Sequence, residues 1–254
     1  MIDGAILRAK KLKGQSIVRV AAAHNKREIQ AELGAAGSID ANRSHLNECL
    51  SGPPTAPQVA DRAKAMTEAA GVLRLRKDAV RAIEFVVSLA PAHAIDDRSF
   101  FIDAVAWLAC RFGGETNILS ADIHRDEPAP HVHLLLLPLI DGRMNGSDAL
   151  GGRTRLALLH SDFHAEVAAP YGLKRAAARL RGSAKAAGVM AVLEHLRGSS
   201  DPALHSAAWG AMRDCIERDP APFLAELGIA APQSRPKALR SMTAIFTSTG
   251  KGGA

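Results

Sequence analysis

Between Thr116 and Ile140 the polar and apolar positions outline two strands. "TNILSADIH" (116–124) alternates and is rich in β-branched residues, which predicts a strand. "HVHLLLLPLI" (131–140) predicts a second, leading into the turn "DGRMNG". Only "RDEPAP" joins them, so they return on each other as an antiparallel pair. Upstream, "SIVRVAAA" (16–23) is β-branched and also reads as a strand, running into "HNKRE". "DAVRAIEFVVSLA" (78–90) contains another, stopped by Pro91. Helices are predicted at 57–71, ended by Gly71, at 96–113, ended by Gly113, and at 153–169, ended by Pro170. The stretch 34–47 is turn-rich and irregular, and short helical segments follow from about 182. Strands and helices in this order, with an adjacent antiparallel pair, indicate an α+β fold rather than a doubly wound parallel sheet.

With 254 residues the chain can bury a sizeable core, as one large domain or one domain with an extension. Its apolar fraction of 47% and charged fraction of 23% are those of a globular protein, while 4% aromatics leave the packing to small and aliphatic side chains. The net charge of +6 favours a polyanionic partner only mildly, and its clustering matters more. Arg8, Lys10, Lys11 and Lys13 form one cluster, and Arg74, Arg76, Lys77 and Arg81 another. Further basic residues gather at Arg153 and Arg155 and between Lys174 and Arg181. Each cluster either neutralises phosphates or is a solvated face. Cys49, Cys110 and Cys215 show no metal or disulfide spacing, which fits a reducing compartment. No signal-peptide core opens the chain, and no apolar run approaches the roughly 20 residues of a membrane span. A cytoplasmic protein is expected. Residues 229–254 carry Arg235, Lys237, Arg240 and Lys251 with no acid, the composition of a flexible basic tail.

"HRDEPAPHVH" (124–133) changes the picture. Residues i and i+2 of a strand share a face, so His131 and His133 project together, about 7 Å apart along the backbone. His124 ends the preceding strand, and the return through Pro128 and Pro130 carries the chain back beside it. Three neutral imidazoles meeting at one point suit Zn, Mn or a similar divalent cation and leave coordination positions open, the mark of a catalytic rather than a structural site. Of Asp126 and Glu127, one can orient an imidazole while the other acts as acid or base near the metal. Other motifs carry less. "HSDFH" places His160 and His164 four apart on a helix, but Ser161 stands where HEXXH requires Glu. "TGKGG" lacks the spacing of a phosphate-binding loop and opens no helix.

"HRDEPAPHVH" fits the pattern HxDExxPHxH and resembles the metal motif of the Pre/Mob (MobV) plasmid mobilisation relaxases, also called plasmid recombination enzymes. "HNKRE" is similar to the family's HNxR motif through His24, Asn25 and Arg27. "IDANRSHLN" (39–47), "RKDAVRAIEFVVS" (76–88) and "DGRMNGSDALGGRTRLALLHSDF" (141–163) resemble its other conserved segments. The likeness runs in order from about residue 7 to 181 and does not reach 182–254. It implies a catalytic domain over 1–181, a helical extension over 182–228 and the tail beyond.

That resemblance implies an HUH-type fold, an antiparallel sheet with the histidine pair on a central strand and helices packed on one face. It implies a DNA strand transferase that uses a divalent metal (Mn or Mg first, Zn as the alternative). The enzyme would nick one strand at a plasmid origin of transfer and hold the 5′ phosphate covalently, serving mobilisation and recombination. Its partners would be single-stranded or supercoiled plasmid DNA and accessory or coupling proteins of conjugation. His24 would be the nucleophile, with Tyr171, the lone tyrosine, as the competitor. A neutral imidazole attacks phosphorus without first losing a proton, whereas a phenol near pKa 10 needs activation. Arg27 would hold the phosphate or the developing charge. Asn25, Arg43, His45 and Asn47 would contact DNA or orient His24, and Arg76 and Lys77 would touch phosphates. The same site would also serve an HUH nuclease of replication initiation or recombination, or survive in a DNA-binding relative that has lost catalysis.

Overall fold

The computed structural model describes residues 4–34, 37–72, 74–175 and 180–232. The chain divides into two compact units, residues 1–176 and 177–254. Most of the basic tail lies outside the described residues.

The first unit is built on five strands: β1 (Ile6–Lys13), β2 (Glu48–Ser51), β3 (Val80–Ser88), β4 (Ile118–His124) and β5 (His131–Leu136). They form one antiparallel sheet in the order β1-β3-β5-β4-β2, which puts β5 at its centre. The antiparallel sheet expected from the sequence is present, but helices pack on both of its faces rather than on one.

Strand periodicity sorts the side chains onto two faces. On one face Ile83, Phe85, Val87, Ala121, Ile123, Val132, Leu134 and Leu136 are buried in one core. α4 (Asp97–Arg111) packs Phe100, Phe101, Ala104 and Leu108 onto it. Its first turn is held by Asp96, which accepts hydrogen bonds from the Arg98 and Ser99 amides. α6 (Arg153–Phe163) and the π-helical turn His164–Ala168 add Phe163 and Val167 to the same layer.

The opposite face is divided. At one end Leu12, Ala82, Leu119 and Leu135 are covered by α1 (Ile17–Asn25) and α3 (Ala56–Ala69), through Val18, Ala22, Val59 and Ala63. At the other end β5 presents His131 and His133. The register pairs His131 with His124 and Ser88, and His133 with Asp122 and Val86.

The strand predicted at 16–23 is a helix. Val18, Ala22 and Asn25 are buried at helical spacing, and the alanines 21–23 outweigh the β-branched residues beside them. The first strand is instead Ile6–Lys13, which the sequence presented only as a basic cluster. It is an edge strand, where exposed lysines guard against further pairing. β2 also emerges from a stretch that carried no strand signal. The predicted strand 131–140 ends at Leu136, and after Pro138 a two-residue hairpin, Leu139–Ile140 with Arg143–Met144, takes over.

The second unit contains the expected helical segments: Gly182–Gly198, Trp209–Arg218 and Ala221–Glu226. They share a small core of Val192, Leu193, Leu196, Ile216 and Leu224.

Candidate metal centre

His124, His131 and His133 converge. Their ring centroids are 5.1, 4.9 and 5.0 Å apart, and exposures of 1, 7 and 8% leave little of each ring open to water. Each ring has one nitrogen engaged elsewhere. Nε2 of His124 lies 2.7 Å from the Asn25 carbonyl oxygen, and Nδ1 of His131 lies 2.8 Å from that of Ala129. Nδ1 of His133 lies 3.2 Å from the Glu84 carboxylate. All three partners are acceptors, so each of these nitrogens carries the proton and the remaining nitrogen of each ring offers a lone pair. His124 Nδ1 and His131 Nε2 then face each other at 3.3 Å. Two lone pairs at that distance repel unless a cation lies beside them. The ligand atoms of the three residues all fall within 4.8 Å of one another, as a shared ion requires.

The electrostatics agree with neutral rings at His124 and His131. Burial, helped by His133, pushes the His124 pKa down to about 3. Burial also lowers that of His131. A histidine of ordinary pKa about 6.5 in the unfolded chain that stays neutral when folded costs stability as pH falls. Between about 6.5 and 3 the unfolded state binds the extra proton, and His124 alone removes about 1.4 kcal/mol per pH unit. Thermal denaturation of chelator-treated protein is therefore expected to show a Tm that drops steadily from pH 7 to pH 4. A flat Tm over that range would contradict the buried neutral His124.

Asp126 is the structural hub beneath the histidines. It is fully buried and accepts from Arg27 Nε (2.9 Å) and Nη2 (2.5 Å), Ser44 Oγ (3.1 Å) and Asn47 Nδ2 (2.7 Å). Burial alone would raise its pKa, but the hydrogen bonds from Arg27 and Asn47 outweigh that and hold it at about 2. Arg27 reaches this position from a left-handed backbone (φ 59°), which is uncommon for a residue with a side chain. Asp126 thus ties together the HNxR segment, the 39–47 segment and the β4–β5 connection. Asp126→Ala leaves Arg27 with Glu127 in place of two carboxylates, strips Ser44 and Asn47 of their acceptor, and is expected to destabilise the fold by about 3–5 kcal/mol, measured by urea denaturation. A loss below about 1 kcal/mol would show that the hub is not needed for stability.

The structure distributes the other expected residues unevenly. His24 stands in the last turn of α1, exposed, with its ring 5.7 Å from that of His133. Burial of one side of the ring, then His133 and Arg27, lower its pKa. Glu127 takes a 2.8 Å bond from Arg27 and lies 3.9 Å from His131 Nε2; the Arg27 hydrogen bond, against burial, keeps it ionised. Asn25 is buried, and its carbonyl holds His124. Asn47 is turned inward, bonding Asp126 and the Arg125 amide. Arg43 and His45 are exposed, with His45 Nδ1 2.8 Å from the Asn42 carbonyl. Arg76 and Lys77 lie in an exposed turn, where Arg76 pairs with Asp78 at 3.3 Å. Tyr171 is on the other side of the sheet: its ring packs on Phe100, and its hydroxyl donates to Asp103 at 2.6 Å. Burial and that carboxylate push its pKa up to about 12, opposite to what a nucleophile needs. His160 and His164 belong to α6 and the turn after it, and neither joins a metal-type cluster among the described residues.

Two groups escaped the sequence reading. Glu84 orients His133, and Lys26 forms a buried 2.6 Å ion pair with Asp122 beside the triad. Glu84 left one visible signal, a carboxylate in the middle of the apolar strand "AIEFVV".

Comparison with known proteins bears on this site directly. A family model described as plasmid recombination enzyme (Mob_Pre) matches residues 1–189. The chain belongs to the Mob/Pre family. A plasmid recombination enzyme from a Bacillus species is 30% identical over 168 residues, covering 63% of this chain and 39% of its own length. The type 1 enzyme of Staphylococcus aureus is 33% identical over 101 residues, covering 37% of this chain and 25% of its own. A 65 kDa protein of Zymomonas mobilis is 29% identical over 184 residues, 69% of this chain and 30% of its own. The Mob/Pre chain thus spans less than half the length of these relatives. Its fold is similar to the relaxase domain of MobM, solved Mn-bound and with plasmid pMV158 oriT DNA. One such structure gives a TM-score of 0.59 at 26% identity, covering 71% of this chain and 96% of that one; a second gives 0.57 at 25%. The family read from the motifs is therefore the family of the chain.

Proposed function

We propose that this Mob/Pre chain is a metal-dependent relaxase that nicks one strand at a plasmid origin of transfer and keeps the 5′ phosphate bound to His24. One observation carries the reading: an exposed imidazole of lowered pKa stands 5.7 Å from the ring of His133, one of three converging buried histidines. MobM, Mn-bound with oriT DNA, supports it by similarity.

His124, His131 and His133 would hold the divalent cation, Mn being the ion of the MobM structures. When bound, the metal withdraws charge from the non-bridging oxygens of the scissile phosphate and orients them. The remaining work falls to the chain's own groups. The His24 lone pair attacks phosphorus. The bond to the 3′ oxygen breaks with its electron pair, and that oxygen takes up a proton from water. The product is a phosphoramidate on His24 and a free 3′ hydroxyl, which can reverse the reaction without ATP. Glu127 is held ionised and serves as a base, accepting the proton that the imidazole sheds. Among the described residues Nη1 of Arg27 is buried and has no hydrogen-bond partner, so it would need a small local shift to donate to a phosphate oxygen. Asp126 and Glu84 act by positioning.

The decisive test is incubation with single-stranded origin segments and Mn, with any protein–DNA adduct mapped to its residue. An adduct on His24 supports the reading, and the absence of any adduct overturns it. The basic clusters add a second expectation. DNA affinity should fall steeply between about 50 and 200 mM salt as phosphate contacts are lost. A flat dependence would make those clusters solvated surface.

A further inference from the structure

The face that carries the histidines continues outward across two more strands. Register places Val86 beside His133 and Arg8 beside Val86, while Ser88 lies beside His131 and Ile6 beside Ser88. Two short rows therefore run from the metal site to the β1 edge. Strand spacing puts the β3 side chains about 5 Å from the histidines and those of β1 about 10 Å away.

These rows floor a cleft of about 800 Å³ that opens directly onto His24, His131 and His133. Ile39 and Pro128 help wall one part of it, and Leu89 and Pro91 another. Ile6 is 42% exposed, unusual for an isoleucine on a sheet face beside a polar site. Among the described residues the Arg8 guanidinium has no ion partner and the Ser88 hydroxyl no hydrogen-bond partner.

We infer that Ile6, Val86, Ser88 and Arg8 form a subsite for the nucleotide adjacent to the phosphate held at the histidines, with its base against Ile6 and Val86 and its phosphate at Arg8. The inference rests on the relaxase reading for what the histidines hold. The cleft is continuous with the metal site, so its occupant is continuous with the scissile phosphate. A nucleotide matches the wall: an apolar base face on the aliphatic pair, a polar base edge within reach of Ser88, and an anion at the unpaired guanidinium. Among the described residues no Phe, Tyr or Trp lines the cleft, so beyond the histidines the base is held by aliphatic contact rather than by stacking.

Methyl NMR titration tests this without requiring cleavage. The protein is titrated, with Mg present, with thymidine 5′-monophosphate, deoxyguanosine 5′-monophosphate and 2-deoxyribose 5-phosphate. The nucleotides are expected to shift the Ile6 and Val86 methyl signals and to bind about tenfold more tightly than the sugar phosphate. Ile6→Ala, at an exposed edge position, should remove most of that preference, and Val86→Ala should do the same. Arg8→Ala should weaken all three ligands alike. Equal affinity for nucleotide and sugar phosphate, or a preference that survives both alanine variants, overturns the subsite. Absence of an adduct on origin DNA would instead overturn the relaxase reading and leave the binding result standing.

Discussion

His24→Ala is expected to abolish the covalent protein–DNA adduct while leaving origin DNA binding in place. The expected loss is at least about 10⁴-fold in adduct formation, the scale on which removing an attacking group acts. His24 is exposed at the end of α1 and supports no core contact, so the variant should fold as the parent does. The measurement is denaturing electrophoresis of the adduct beside a binding titration. An adduct of undiminished yield would move the nucleophile elsewhere. Tyr171 is a poor substitute, since it packs on the opposite side of the sheet with its hydroxyl bound to Asp103. Tyr171→Phe should therefore leave the adduct intact.

The second large effect is expected at the metal. His131→Ala combined with His133→Ala deletes two of three inward-facing imidazoles, leaving His124 alone. Losing one hydrogen-bond partner of a ligand typically weakens a metal site by about 10–100-fold, so losing two ligands should cost far more. The double variant should come off a desalting column without divalent metal by elemental analysis, where the parent retains it. Both side chains lie on the face away from the Phe85 core, so the sheet should survive. Metal content equal to the parent would sink the site.

The sequence was strong where the physics is local. The β4–β5 hairpin and its histidines follow from a period of two and a short connection, both contained within 25 residues (116–140). The helices 57–71 and 96–113 were legible from spacing and stop signals. It failed at 16–23, where β-branched propensity argued for a strand and burial of Val18 and Ala22 made a helix. It also overlooked β1, because an edge strand with one solvated side spends half its positions on charge. Asn47, expected to contact DNA or orient His24, bonds Asp126 and the Arg125 amide. No local pattern reveals that, because Asp126 gathers groups from three separated segments.

By itself, then, the sequence determined the family, the α+β class and the three imidazoles of the metal motif. Each is a matter of residue identity and short-range spacing. The tertiary structure alone decided which nitrogens point inward, because that depends on acceptors at Asn25, Ala129 and Glu84 from separate segments. It also decided that His24 stands beside His133 while Tyr171 lies behind the sheet. Both facts follow from how strands and helices distant in sequence pack across the two faces of one sheet, and chain spacing carries no information about faces until the register is set.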